Sequence, residues 1–177
     1  MAQIILWLVC GITAAIASVL AGRSRRWMYA GRAAVGVLML IGGALVNAVY
    51  LATGVDYAGF ADPAQFAWVT SAWRAVVAPH QVLFIGLLVA FEATVGVLIL
   101  SGGRRTQLGL AGAIAFHLAL WLFGWIEAVW VIIMVPVMVL LLRAERRAAA
   151  TPAEPTPGGH RRGTPSRETR RTTGHHA

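Results

Sequence analysis

The chain has 177 residues, 58% of them hydrophobic and 12% charged, about half the charged share of soluble globular chains, which argues against a water-soluble domain. Its 15 basic residues outnumber 7 acidic ones for a net charge of +8, but the excess sits in short loops and at the C-terminal end, where membrane topology explains it and nucleic-acid binding is not expected. The single cysteine, Cys10, lies in an apolar block, so there is no disulfide, CxxC pair or thiolate metal cluster to read.

Every basic residue is Arg, a codon skew that points to a GC-rich bacterial genome and hence to a bacterial inner membrane. The first apolar block, Ile4 to Ala21, is followed by Arg23, Arg25 and Arg26. A secretory leader carries its positive charge ahead of the apolar run, so this block reads as a retained helix. The positive-inside rule then places the N-terminus outside and the arginines in the cytoplasm.

A second block, Ala33 to Leu51, returns the chain to the outside, where Asp56 and Asp62 replace the arginines. Asp62 followed by Pro63 reads as a helix start, and Pro79 marks its stop. Between them Phe66, Val69, Trp73, Val76 and Val77 share one helical face, so an amphipathic helix near residues 62–78 is expected at the outer interface.

The third block, Gln81 to Leu100, ends at a basic turn with Arg104 and Arg105. The stretch from Leu108 to Leu142 is too long for one crossing at ~20 residues each, and Gly124 and Glu127, flanked by Trp121, Trp125 and Trp130, mark an outside turn within it. Pro136 is expected to kink the last helix. Five spans return the chain to the cytoplasm where Arg143, Arg146 and Arg147 appear.

The fold class is therefore all-α, a polytopic transmembrane bundle of five spans. Its organisation is an N-terminal helix and basic loop over residues 1–31, a four-helix membrane domain over 32–143, and a tail over 144–177. The tail is rich in Pro, Thr, Gly and Arg and is expected to be disordered. Residues 143–177 hold eight Arg against three Glu, which suits attraction to anionic lipid. His160, His175 and His176 lack metal-ligand spacing, so no metal is expected.

Residues 32–143 resemble the DoxX-like family of small four-helix bacterial membrane proteins. The resemblance rests on Arg32, Gly36 and Gly43 along the second helix, then Glu92, Gly96, Ile99, Gly102 and Arg105 from mid-membrane to the cytoplasmic turn. Val46 and Asn47 stand where that family commonly has a basic residue. The family's namesake is a membrane subunit of a thiosulfate:quinone oxidoreductase. The resemblance thus implies a four-helix membrane fold, to which the first helix is an addition, and an oxidoreductase partner working with quinone.

Two ionisable side chains, Glu92 and His117, fall near the bilayer midplane at ~1.5 Å of rise per residue, where such groups are costly and are functional candidates. Their helices are joined by a short turn, so geometry allows a direct hydrogen bond between them; the alternative is that Glu92 bonds backbone or Asn47, a supporting polar group on the second helix. A proton relay or a quinone site needs such a pair, because a quinone carbonyl takes a hydrogen-bond donor and its reduction takes up protons. His80 and Glu127 are read as a candidate outer entrance. No nucleotide loop, haem-attachment motif or zinc-protease motif is present, and no catalytic nucleophile is assigned. The same residues also fit a small proton-coupled transporter, for which a homo-oligomer would supply the path, or a structural scaffold working through its tail.

Overall fold

In the computed structural model, which describes residues 2–150, every regular element is a helix. α1 is Ala2–Leu20, α2 is Arg25–Ala52, α3 is Ala67–Ser101, α4 is Gly103–Phe123 and α5 is Trp125–Ala150. The last four are long and apolar enough to cross a membrane; α1 contributes a shorter apolar stretch, Ile4–Leu20. The expected tail lies outside the described residues from 151 onward, whereas α5 stays helical through Pro136 and past Arg143 to Ala150.

α2 begins at Arg25, before the apolar block that marks it in the sequence, so the basic turn after α1 shrinks to a few residues around Gly22 and Arg23. Its middle is wound as a wider π-helix over Leu38–Leu45. α3 starts at Ala67 and not at Asp62, because Asp62 is spent elsewhere: its backbone N–H closes a turn on Gly59 O at 3.1 Å and its carboxylate pairs with Arg74 at 2.8 Å. Pro79 does mark a break in the helix. It falls in a single 3₁₀ turn, Ala78–His80, and His80 leaves helical geometry at φ −124 and ψ 34 before Gln81–Ser101 continues as an α-helix.

The turns gather at two ends. At the arginine end are the α1–α2 turn, the α3–α4 turn and the end of α5. At the tryptophan end the 53–66 loop packs on the α4–α5 turn, with Phe60, Trp73 and Phe123 ring centroids 5.0–5.4 Å apart.

The buried centre is built from Val35, Ile99, Leu110, Met134, Met138 and Leu141. Its outside is also apolar: Val82, Ile126 and Ile132 are each more than 70% exposed, as suits helices that cross a membrane. Lipid offers helices no hydrophobic reason to associate, so close packing must hold them. Accordingly α1 docks through Ala14, Ala17 and Ser18, all buried, and Trp7 lies on Trp130 at 5.8 Å. α1 is thus packed into the bundle.

Candidate functional site

Glu92 lies mid-way along the Gln81–Ser101 helix, far from either end, and is only 4% exposed. A carboxyl at that depth needs a hydrogen-bond partner. Asn47, just beyond the π-helical stretch of α2, provides it: its Nδ2 donates to Glu92 Oε2 at 3.0 Å.

The Asn47 amide is used at both ends. Its Oδ1 accepts from the Tyr57 hydroxyl at 3.2 Å. Tyr57 is fixed in turn: its backbone N–H donates to Gln81 Oε1 at 3.2 Å and its carbonyl accepts from Trp73 Nε1 at 2.8 Å. The result is a continuous polar string, Glu92–Asn47–Tyr57, from the bundle interior to the tryptophan end. Tyr57 is 7% exposed, and burial first, then the Glu92 charge, holds its phenol above the usual tyrosine range, so it remains a donor at neutral pH.

Gly43 makes room for this carboxyl. A Cβ there would stand 2.6 Å from Glu92 Oε1, and one on the adjoining Gly42 would stand 2.8 Å from Trp7 Nε1, which donates to Gly42 O at 3.1 Å. The π-helical turn is thus clasped between Trp7 of α1 and Glu92 of α3. Such wide turns often accompany functional positions.

His117 is buried at 3% exposure, but it does not bond to Glu92. Its Nδ1 donates to Ala113 O, one turn back on α4, at 2.8 Å. A carbonyl can only accept, so Nδ1 carries the hydrogen and Nε2 is left for any further partner. The direct Glu92–His117 hydrogen bond that the sequence allowed is absent: the imidazole is satisfied by its own helix and the carboxyl by α2. Their sequence neighbours Phe91 and Phe116 pack at 5.7 Å, with Phe91 40% exposed on the surface of the bundle.

His80 and Glu127 are not joined either. His80 borders an open concavity of about 920 Å³ at the tryptophan end, with Asp56, Gln81, Leu83 and Leu87 among its walls. Glu127 instead folds over Gly124, where a Cβ would meet its Oε2 at 2.8 Å, and lies in the first turn of α5, where a carboxylate offsets the positive helix end.

At the arginine end lies a second buried cluster. Arg32, 8% exposed, donates from Nε to Ile99 O at 3.2 Å and from its terminal nitrogen to Leu100 O at 3.1 Å, and its Nε stands 3.5 Å from Glu145 Oε1. Thr106 donates to Ile99 O at 2.9 Å and accepts from the Gly102 N–H at 2.9 Å. The α3–α4 turn needs Gly102 at φ +92, a value other residues avoid. Arg32 therefore caps the carbonyl end of α3 and ties it to α5. Glu145, which the sequence reading assigned to the tail, belongs to this lock.

Tyr57 and Glu145 are the two residues that sequence reasoning missed. Compared with protein-family models, curated proteins and solved structures, the chain finds no match.

Proposed function

We propose that the chain is a five-span protein of the bacterial inner membrane and a DoxX-like membrane subunit, or anchor, of a quinone-linked redox system. In this reading α1 also crosses the bilayer, its 19 residues reaching ~28 Å at ~1.5 Å each. The arginine end faces the cytoplasm, the N-terminus lies outside, and all basic turns obey the positive-inside rule.

The observation that carries the chemical part is the buried carboxyl of Glu92, held by an amide that is itself fixed by Tyr57. Ionisable groups inside membrane bundles mark ion or proton paths and ligand sites. Reduction of a quinone consumes two electrons and two protons. The electrons come from a partner oxidoreductase. Glu92, when protonated, donates to one carbonyl oxygen, and the Phe91 and Phe116 rings provide an apolar approach from the lipid. His117 Nε2, an acceptor because the ring hydrogen is held on Nδ1, takes a hydrogen bond from a hydroxyl of the reduced headgroup, whose second proton comes from solvent.

Purification of the tagged protein in mild detergent, with mass spectrometry of its partners and extraction of bound quinone, tests this. A co-purifying oxidoreductase with near-stoichiometric quinone supports the reading. A solitary oligomer without quinone contradicts it, and proton-coupled flux in liposomes would then assign the same string to transport.

A further inference from the structure

A concavity of about 290 Å³ opens at the arginine end between the α1–α2 turn and the last turns of α5, away from the Glu92 string and the Arg32–Glu145 lock. Its rim carries Arg23, Arg25 and Arg147, and its floor is Ala21, Met28, Ala144 and Ala148. Ala21 and Met28 are buried. Glu145, on the same helix as Arg147, is turned toward Arg32, and among the described residues no carboxylate lines the concavity.

The electrostatics of this corner are unbalanced. α2 begins at Arg25, so the positive end of a long helix points into the rim, and its first turn holds two arginines and no acid. Ser24, at the capping position, makes no side-chain bond to the first-turn N–H groups. Cationic side chains raise the potential at a helix N-terminus, the reverse of the usual arrangement, and an anion bound there would offset both.

We infer that this groove binds the phosphodiester headgroup of an anionic phospholipid. The phosphate is taken by Arg23, Arg25 and the α2 N-terminus, and the glycerol and upper acyl carbons lie on the alanine and methionine floor. The apolar floor is what favours a lipid over free phosphate. Basic pockets between membrane helices at the cytoplasmic face bind headgroups in this way. The inference rests on the arginine end lying at a membrane surface and is independent of any quinone chemistry.

The test is native mass spectrometry of the full chain, delipidated and titrated with phosphatidylglycerol, with phosphatidylcholine and, separately, with inorganic phosphate. The expected result is preferential retention of phosphatidylglycerol. The double substitution Arg23→Gln with Arg25→Gln lowers it roughly thirtyfold, at about 1 kcal/mol per arginine near a lipid surface. Ala148→Leu, which fills the floor and leaves the charge intact, lowers it as well. Arg104→Gln with Arg105→Gln, an equal loss of charge at the neighbouring turn, leaves it unchanged. An equal loss with the Arg104/Arg105 pair would overturn the proposal in favour of general surface charge. Retention of inorganic phosphate as strong as that of lipid would overturn it in favour of a free-anion site.

Discussion

Asn47 donates to Glu92 while accepting from Tyr57, so one amide joins a carboxyl deep in the bundle to the loop at the tryptophan end. Its orientation is fixed from both sides, and leucine, of similar size, could do neither job. Asn47→Leu should cost about 1 kcal/mol of stability in a detergent unfolding titration, near the upper part of the range for interhelical hydrogen bonds. Asn47→Ala in a Glu92→Gln background should cost less than in the parent, because the charge-assisted bond is already gone.

Gly43 should behave as a steric partner of Glu92. With a Cβ standing 2.6 Å from Glu92 Oε1, Gly43→Ala forces the carboxyl away from Asn47 or spreads α2 from α3. A loss of about 2 kcal/mol is expected, in the range of overpacked cores. Glu92→Ala removes the obstructing atoms, so the glycine substitution should be nearly silent in that background. A penalty unchanged by Glu92→Ala would place the clash elsewhere.

Tyr57 gives a pH prediction. Its phenol is raised above the ordinary 10.0 by burial first and by the Glu92 carboxylate second. The folded state therefore keeps this proton to higher pH than the unfolded chain. The stability contribution is fully present below pH 10.0 and is lost as pH rises through the higher folded value. The phenolate absorbance lost in Tyr57→Phe should show a midpoint above 10.0, and Glu92→Gln should move it down without restoring the ordinary value.

The Arg32–Glu145 lock predicts an asymmetry. Arg32→Ala strips α3 of a double carbonyl cap and leaves a buried carboxylate unpaired, so a loss of about 3 kcal/mol or more is expected. Glu145→Gln keeps both arginine–carbonyl bonds and should cost clearly less. Chemical denaturation of the two variants in one detergent measures the difference.

Much of the architecture was legible in the sequence because lipid imposes a plain rule: apolar runs of crossing length, bounded by arginines at one end and by tryptophan and aspartate at the other. The break at Gly124 and the basic turn before Arg104 follow from it. Two features did not. The start of α3 was misplaced because Asp62 and Pro63 carry capping chemistry that the fold spends on Arg74 and on a turn. Glu145 looked like tail because it sits among arginines, yet it faces inward to a cation distant in sequence.

The site was half legible. Glu92 and His117 stood out by depth, but depth does not say which way a side chain turns around its helix: Glu92 takes Asn47, the alternative partner, and His117 its own helix. Asn47 was placed as a supporting polar group, and its bond to Glu92 is the one the structure contains. Tyr57 was invisible, since only the folded loop brings its hydroxyl over the second helix.

The central claim is that Glu92 serves a quinone. The most direct measurement is quinone reduction by the purified assembly, with bound quinone quantified in parallel, for the parent, Glu92→Gln, His117→Ala and the double variant. The account predicts a large loss of turnover and of bound quinone in Glu92→Gln, deepened by His117→Ala, while the bundle stays folded. Turnover that survives the double substitution would contradict it.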